Sequence, residues 1–258
     1  MTAPADHIGA DATLHFGDVQ ERWKSLQVDA PIIVTDPPYL ITSGGASSGG
    51  GRMKGGWIGD YGNTGKPVIC EISWPEIMAI IAAAAAANSD IYVFCEARNL
   101  RPALNAAEVA GLKFHNVLTW DKVTATANRW YMKNNEFVLY LYKGRARAIN
   151  DCGSKAGTRF PHRDVTKHPT EKPVGLLRHY IENSSAPGDL VADPFAGTAS
   201  TGVAAIEAGR RFIGCEIDPK WHQVGAERLA SARVKSGMFA VTEPKLKQTS
   251  FFDVEGAR

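Results

Sequence analysis

In this 258-residue chain the residues best suited to do chemistry are the consecutive Asp36, Pro37, Pro38 and Tyr39. Two successive prolines fix φ twice and remove two backbone donors. The carbonyls are then presented in set directions without competing N–H groups. The acidic side chain in front adds a strong acceptor, and the tyrosine behind adds a flat π surface with a polar tip. Two convergent acceptors beside an aromatic plate suit a planar amino group on a heteroaromatic ring. The exocyclic nitrogen of adenine or cytosine is such a group, and a poor nucleophile, because its lone pair is delocalised into the ring. With one N–H on Asp36 and the other on the Pro37 carbonyl, that nitrogen becomes more tetrahedral and its lone pair turns towards an electrophile. Tyr39 would stack on the base. Asp36 then favours charge that develops in the transition state, and the proton leaves later. The plainer reading is a strand-ending Pro-Pro turn beside an incidental Asp.

A second group runs from Asp193 to Glu216. Leu190-Val-Ala-Asp193 reads as a strand that turns through Pro194-Phe-Ala-Gly-Thr-Ala-Ser200 into a helix, and Phe212-Ile-Gly-Cys-Glu216 ends the next strand, 23 residues after Asp193. An acid about 20 residues past a glycine-containing strand–helix turn suits a ribose diol. The G-x-G-x-x-G pattern that brings a pyrophosphate onto a helix N-terminus is absent. One glycine, Gly197, sits between Phe195 and Thr198, which better suits a nucleoside without phosphates. S-adenosylmethionine fits: its adenosine against the turn, its ribose hydroxyls on Glu216, its amino-acid end near Asp193. The plainer reading here is a strand–loop–helix in which Asp193 caps the helix.

Both groups need strands to hold them. Pro31 to Thr35, Ile91 to Cys95, Leu190 to Asp193 and Phe212 to Ile217 are short apolar runs, typical of strands buried on both faces. Phe114 to Trp120 and Glu136 to Tyr142 read as further strands. Helices are predicted over Val19–Leu26, Trp74–Ala87 (with Asn88 as the stop), Asn99–Ala110, Pro173–Ser184, Ala199–Ala208 and Pro219 to about Val234. Strands alternating with such helices predict an α/β fold, a mostly parallel Rossmann-like sheet with helices on both faces. Open sheets of this kind bind ligands at the carboxyl ends of their strands. A single domain over 1–258 is expected. Residues 43–62 contain nine of the 25 glycines and read as a flexible loop, and 240–258 as a loose tail.

Composition narrows the function classes. Hydrophobic residues make up 44% and charged residues 22%, ordinary for a globular chain and unlike collagen, coiled coil or a disordered segment. The net charge of +2 is too small to announce a polyanionic partner, so that signal must be local. Eight basic residues stand against three acids between Lys143 and Lys172, a local excess of five. A basic, irregular stretch there, 143–167, is a candidate DNA-recognition segment; a solvated surface loop is the alternative. The four cysteines form no C-x-x-C pair, so no metal site is expected. Free thiols suit a reducing cytoplasm. No signal peptide and no run of about 18 apolar residues is evident.

The tetrapeptide Asp36 to Tyr39, the run His168-Pro-Thr-Glu-Lys-Pro173 and the run Asp193-Pro-Phe-Ala-Gly197 together resemble the DNA amino-methyltransferases that modify adenine N6 or cytosine N4. The order, catalytic tetrapeptide first and cofactor loop last, resembles the permuted beta group. The resemblance spans about Leu14 to Val234. It implies Asp36, Pro37, Pro38 and Tyr39 as catalytic residues, and a segment with His168, Thr170 and Lys172 closing over the cofactor's methionine end. It also implies a cofactor loop of Asp193, Phe195 and Gly197, with Glu216 on the ribose. Thr198 and Ser200 add hydroxyls there. Many members carry a second glycine where this chain has Ala199. Asp at position 36 implies adenine rather than cytosine. The expected activity is methyl transfer from S-adenosylmethionine to N6 of adenine in a base flipped out of duplex DNA. A homodimer, and a place in restriction–modification, follow from the resemblance.

Other readings are cytosine N4 in DNA, adenine N6 in RNA, glutamine in a protein, a non-catalytic nucleic-acid-binding relative, and a nicotinamide oxidoreductase. His115, His179 and His222 are expected to pack or lie on the surface, and Cys95 and Cys215 to be inert core thiols. The run Ala82 to Ala87 reads as helix filler. Trp130 and Tyr131 suit either the core or a groove near the flipped base.

Overall fold

A computed structural model describes residues 6–38, 72–126, 131–161 and 171–238. Tyr39, the 43–62 loop, Trp130, His168, Thr170 and the 240–258 tail lie outside these residues. The expected α/β architecture is present. Among the described residues nine strands form one sheet: β1 (His7–Ile8), β2 (Ala12–Phe16), β3 (Ala30–Thr35), β4 (Ala85–Cys95), β5 (Lys113–Thr126), β6 (Lys133–Lys143), β7 (Gly157–Arg159), β8 (Leu190–Asp193) and β9 (Arg211–Glu216). Their spatial order is β1-β2-β9-β8-β3-β4-β6-β5-β7. From β2 across to β4 all neighbours are parallel. β1 and β6 run antiparallel to their neighbours.

Residue alternation along the strands makes two cores. Ile32 and Val34 of β3, with Tyr92 and Phe94 of β4, face α4 (Val174–Ser184), α5 (Ser200–Glu207) and α6 (Pro219–Met238). Ile33, Ile91 and Val93 face α1 (Val19–Leu26), α2 (Trp74–Ala84) and α3 (Leu100–Val109). A period of two sends successive side chains to opposite layers, so the continuous apolar runs serve both.

α2 stops three residues before the expected end, and the alanine run divides between helix and strand. Ala85 pairs with Ala30 of β3, and the Lys143 ammonium donates to the terminal carbonyls of Ala82 and Ala85 at 2.9 and 2.8 Å. Alanine's helical preference is a fraction of a kcal/mol per residue, which strand pairing and a cationic helix cap override.

Of the two neighbours of β3, β4 follows it directly in the chain, whereas β8 comes only after β7. At β3 the order reverses: β4 lies on one side, β8 on the other. That switch point is where a doubly wound sheet opens a crevice at its carboxyl edge.

Candidate active site

β3 and β8 lie side by side, so Asp36 and Asp193 emerge at the same edge. The Thr35 hydroxyl donates to Asp193 Oδ1 at 2.6 Å, and the Phe195 amide donates to the same oxygen at 3.1 Å. Asp193 is buried, and burial pushes its carboxyl up to about 6 against the Thr35 and Thr201 hydroxyls, with Asp36 adding to the rise. Asp193 therefore ties the ends of the two strands to the loop that follows.

Lys172, just before α4, donates from Nζ to Asp36 Oδ2 at 2.5 Å. It lies 3.4 Å from Glu136 Oε2 on β6, whose Oε1 takes the Lys122 ammonium of β5 at 3.2 Å. The Lys172 ammonium also sits 5.3 Å from the ring centre of Phe94. Burial lowers Lys172, but Asp36 and Glu136 outweigh it, and the net direction is up, so the group stays cationic. Burial raises Asp36, Lys172 opposes and Glu136 reinforces; the net direction is up. Asp36 Oδ1 is buried and accepts no hydrogen bond. Lys172, expected over the cofactor, makes its contact with Asp36. Pro37 is buried and Pro38 exposed.

The loop after β8 turns back at Gly197 (φ 53°) and Ala199 (φ 56°), both left-handed. Ala199 adopts the conformation that a glycine would take there, at a cost of about 1–2 kcal/mol. Its methyl is fully buried against Gly225 of α6, where an added Cβ would meet Ala199 Cβ at 3.3 Å and Leu14 Cδ2 at 2.9 Å. Glu216, at the end of β9, accepts the Gly197 amide on Oε2 at 2.8 Å and the Asp218 amide on Oε1 at 2.7 Å. Burial lifts its carboxyl to about 7 against those two amides. Phe195 and Gly197 are half-exposed, whereas Thr198 and Ser200 are buried. The Thr198 carbonyl and hydroxyl and the Ser200 hydroxyl accept from Arg228 Nη1 at 2.7, 2.8 and 3.0 Å. Arg228 Nη2 reaches Glu171 at 2.8 Å. These two hydroxyls therefore support the loop from within.

Glu136, Lys122, Glu171 and Arg228 belong to the site and carry no local sequence signature. Two cations of the basic segment, Lys143 and Arg147, are engaged within the fold. Lys143 pairs with Ser89, at the other end of β4 from Cys95, and caps α2 there. Arg147 gives Nη2 to Asp90 at 2.9 Å, to the Pro31 carbonyl at 3.1 Å and to the Ser184 carbonyl at 2.8 Å. Both cations serve the fold, at the end of the sheet away from Asp36. Arg159 returns to that edge, where β7 pairs with Thr119–Asp121 of β5, and it is well exposed. Tyr131 is 94% exposed, which removes it from the core. His222 packs with Nε2 on the Leu14 carbonyl at 3.1 Å. Burial pushes the Cys95 and Cys215 thiols up to about 12, as inert core thiols require. No described helix is long and apolar enough to cross a membrane.

Asp36, an adjacent cofactor-type loop and an acid on the next strand make a site for methyl transfer to an amine. Comparison with known proteins agrees. The family model described as DNA methylase matches residues 30–227. The Type II methyltransferase M2.DpnII of Streptococcus pneumoniae is 27% identical over 255 residues, covering 89% of this chain and 93% of that protein. The DNA adenine methyltransferase YhdJ of Escherichia coli K12 is 50% identical over 66 residues, 26% of this chain and 22% of that protein. The solved M1.HpyAVI–SAM complex shares the fold, with a TM-score of 0.65 at 23% identity, covering 84% of this chain and all of that one. The match over most of the chain, with the motifs on their expected strands, shows that it belongs to the DNA methylase family, the S-adenosylmethionine-dependent DNA amino-methyltransferases.

Proposed function

We propose that the enzyme methylates N6 of adenine in duplex DNA, within a restriction–modification setting. The observation that carries the reading is the open oxygen of Asp36, a buried acceptor fixed from its other side by Lys172. An N6–H on Oδ1, and the second N–H on the Pro37 carbonyl, would turn the nitrogen lone pair out of the ring. S-adenosylmethionine supplies an electrophilic methyl group. The amine's electron pair forms the N–C bond as the C–S bond breaks. The extra N6 proton then passes to Asp36 and on to water.

The site fits the cofactor. Glu216 stands at the loop with both oxygens anchored, and Phe195 and Gly197 present a half-exposed surface beside it. We assign those three to the nucleoside and Asp193 to the loop's rigidity. His168 and Thr170 are assigned to the methionine end. Thr198 and Ser200 act through Arg228. Flipping the base costs a few kcal/mol, and stacking on Tyr39 returns about 1–3 kcal/mol.

Asp at position 36 supports adenine, as does the name of the YhdJ relative. The Type II designation of M2.DpnII supports the restriction–modification setting. A cytoplasmic location and a homodimer on the DNA belong to the same reading, the latter checked by sedimentation. The decisive experiment digests methylated duplex to nucleosides and identifies the product by mass. N6-methyladenine is expected, and Asp36→Ala should give none while still binding S-adenosylmethionine. Cytosine product, or full activity in Asp36→Ala, would overturn the reading.

A further inference from the structure

We propose that Glu136 is a positioning residue for Asp36: by holding the Lys172 ammonium against one oxygen of Asp36, it leaves the other open to the substrate amine. This rests on Asp36 as the acceptor of that amine.

Four charges of alternating sign, Asp36, Lys172, Glu136 and Lys122, run from the end of β3 across to β5, with contacts of 2.5, 3.4 and 3.2 Å. Their side chains are between 9% and 25% exposed, so solvent screens them weakly. An ionised carboxylate has about four lone-pair sites and readily takes a cation on both oxygens. Here the cation engages only Oδ2, and Oδ1 is buried without a hydrogen bond. A buried acceptor left unmet is destabilising. Lys172 does not relieve it because Glu136 draws the ammonium to the opposite side. Glu136 is itself fixed, by Lys122 on Oε1 and by the pairing of β6 with Trp120 of β5.

The same arrangement sets how well Asp36 accepts a proton. The groups acting on it are Lys172, Glu136 and Asp193, with the neutral Cys95 thiol close by. Glu96, next to Cys95, is paired with Lys133. Lys172 makes Asp36 a weaker acceptor, and Glu136 and Asp193 offset it. Without Glu136 the whole charge of Lys172 falls on Asp36. The carboxylate would be clasped on both oxygens and would bind a proton less readily.

The test is the single-turnover rate of methyl transfer against pH in E136Q. We expect a loss of about tenfold to a hundredfold, the range for a misplaced catalytic group. Affinities for S-adenosylmethionine and DNA should stay near wild type. The acid limb of the rate profile should move to lower pH, since a negative neighbour of Asp36 is gone. E136D should recover part of the rate. Because E136Q leaves Lys122 facing a neutral amide, K122M/E136Q serves if the single variant is unstable, with the same limb shift expected. An unmoved acid limb and a normal rate, with Asp36→Ala inactive, would overturn the role of Glu136. Activity in Asp36→Ala would instead overturn the reading beneath it.

Discussion

Arg228 can be removed without touching any group that meets the substrate, yet the cofactor loop should loosen. Its guanidinium binds three oxygens of Thr198 and Ser200 from one nitrogen and Glu171 from another. The Glu171 side chain is 2% exposed and that of Arg228 15%, so their attraction is little screened. Methionine in its place keeps much of the stem and removes the charge. Breaking a buried pair from one side costs about 3–5 kcal/mol, mostly because the remaining charge stays in a low dielectric. Glu171 also faces the Ser200 hydroxyl at 3.5 Å, which places the loss near the lower bound. At about 2–4 °C per kcal/mol for a chain of this size, Tm should fall by about 6–12 °C. E171Q/R228M should regain at least half of the loss, since the residue left behind is then neutral. Calorimetry on the wild type, both single variants and the double variant gives the coupling, and titration with S-adenosylmethionine should show weaker binding in R228M. Strict additivity in the cycle, or a Tm within 2 °C of wild type (about 1 kcal/mol or less), would refute the argument.

Two further outcomes follow from the geometry. Cofactor affinity should weaken as pH falls through about 7, where Glu216 takes up a proton and loses acceptor capacity for the ribose; E216Q should bind weakly and lose that upper part of the pH dependence, measured by calorimetric titration. R147M should lower Tm by roughly 6–12 °C, since Asp90 loses its cation while only 2% exposed. DNA affinity of the folded R147M should hold; weaker DNA binding at an unchanged Tm would return Arg147 to the DNA surface.

What the sequence made legible was local. The runs ending in Thr35 and Asp193 read as buried strands, and the acids at their ends share an edge because those strands are parallel. α1 lies over Val19–Leu26 as its pattern predicts. What escaped was long-range. Lys172 meets Asp36 across 136 positions of chain, and nothing near either residue announces the pairing. Glu136 reads as the polar start of a strand, and Arg228 as one more basic residue on a helix. Charge density alone does not tell Lys143 and Arg147 apart from cations that face solvent, because a cation spent on carbonyls and Asp90 has the same letter as one left free. The alanines after Ala84 misled for a related reason. Propensity is a weak local term, and Ala30 across the sheet decided their fate.

The single methyl group between the cofactor loop and α6 has a consequence for how this sequence can drift. A β-carbon at Gly225 would press on Leu14 Cδ2 at 2.9 Å and on the Ala199 β-carbon at 3.3 Å. A glycine at 199 would vacate the space and relax a left-handed alanine. It would thereby open position 225 to alanine, which favours the helix by about 1 kcal/mol, once Leu14 turns its terminal methyl aside. The two sites are thus coupled, and a residue of α6 shares in deciding the backbone of the loop after β8.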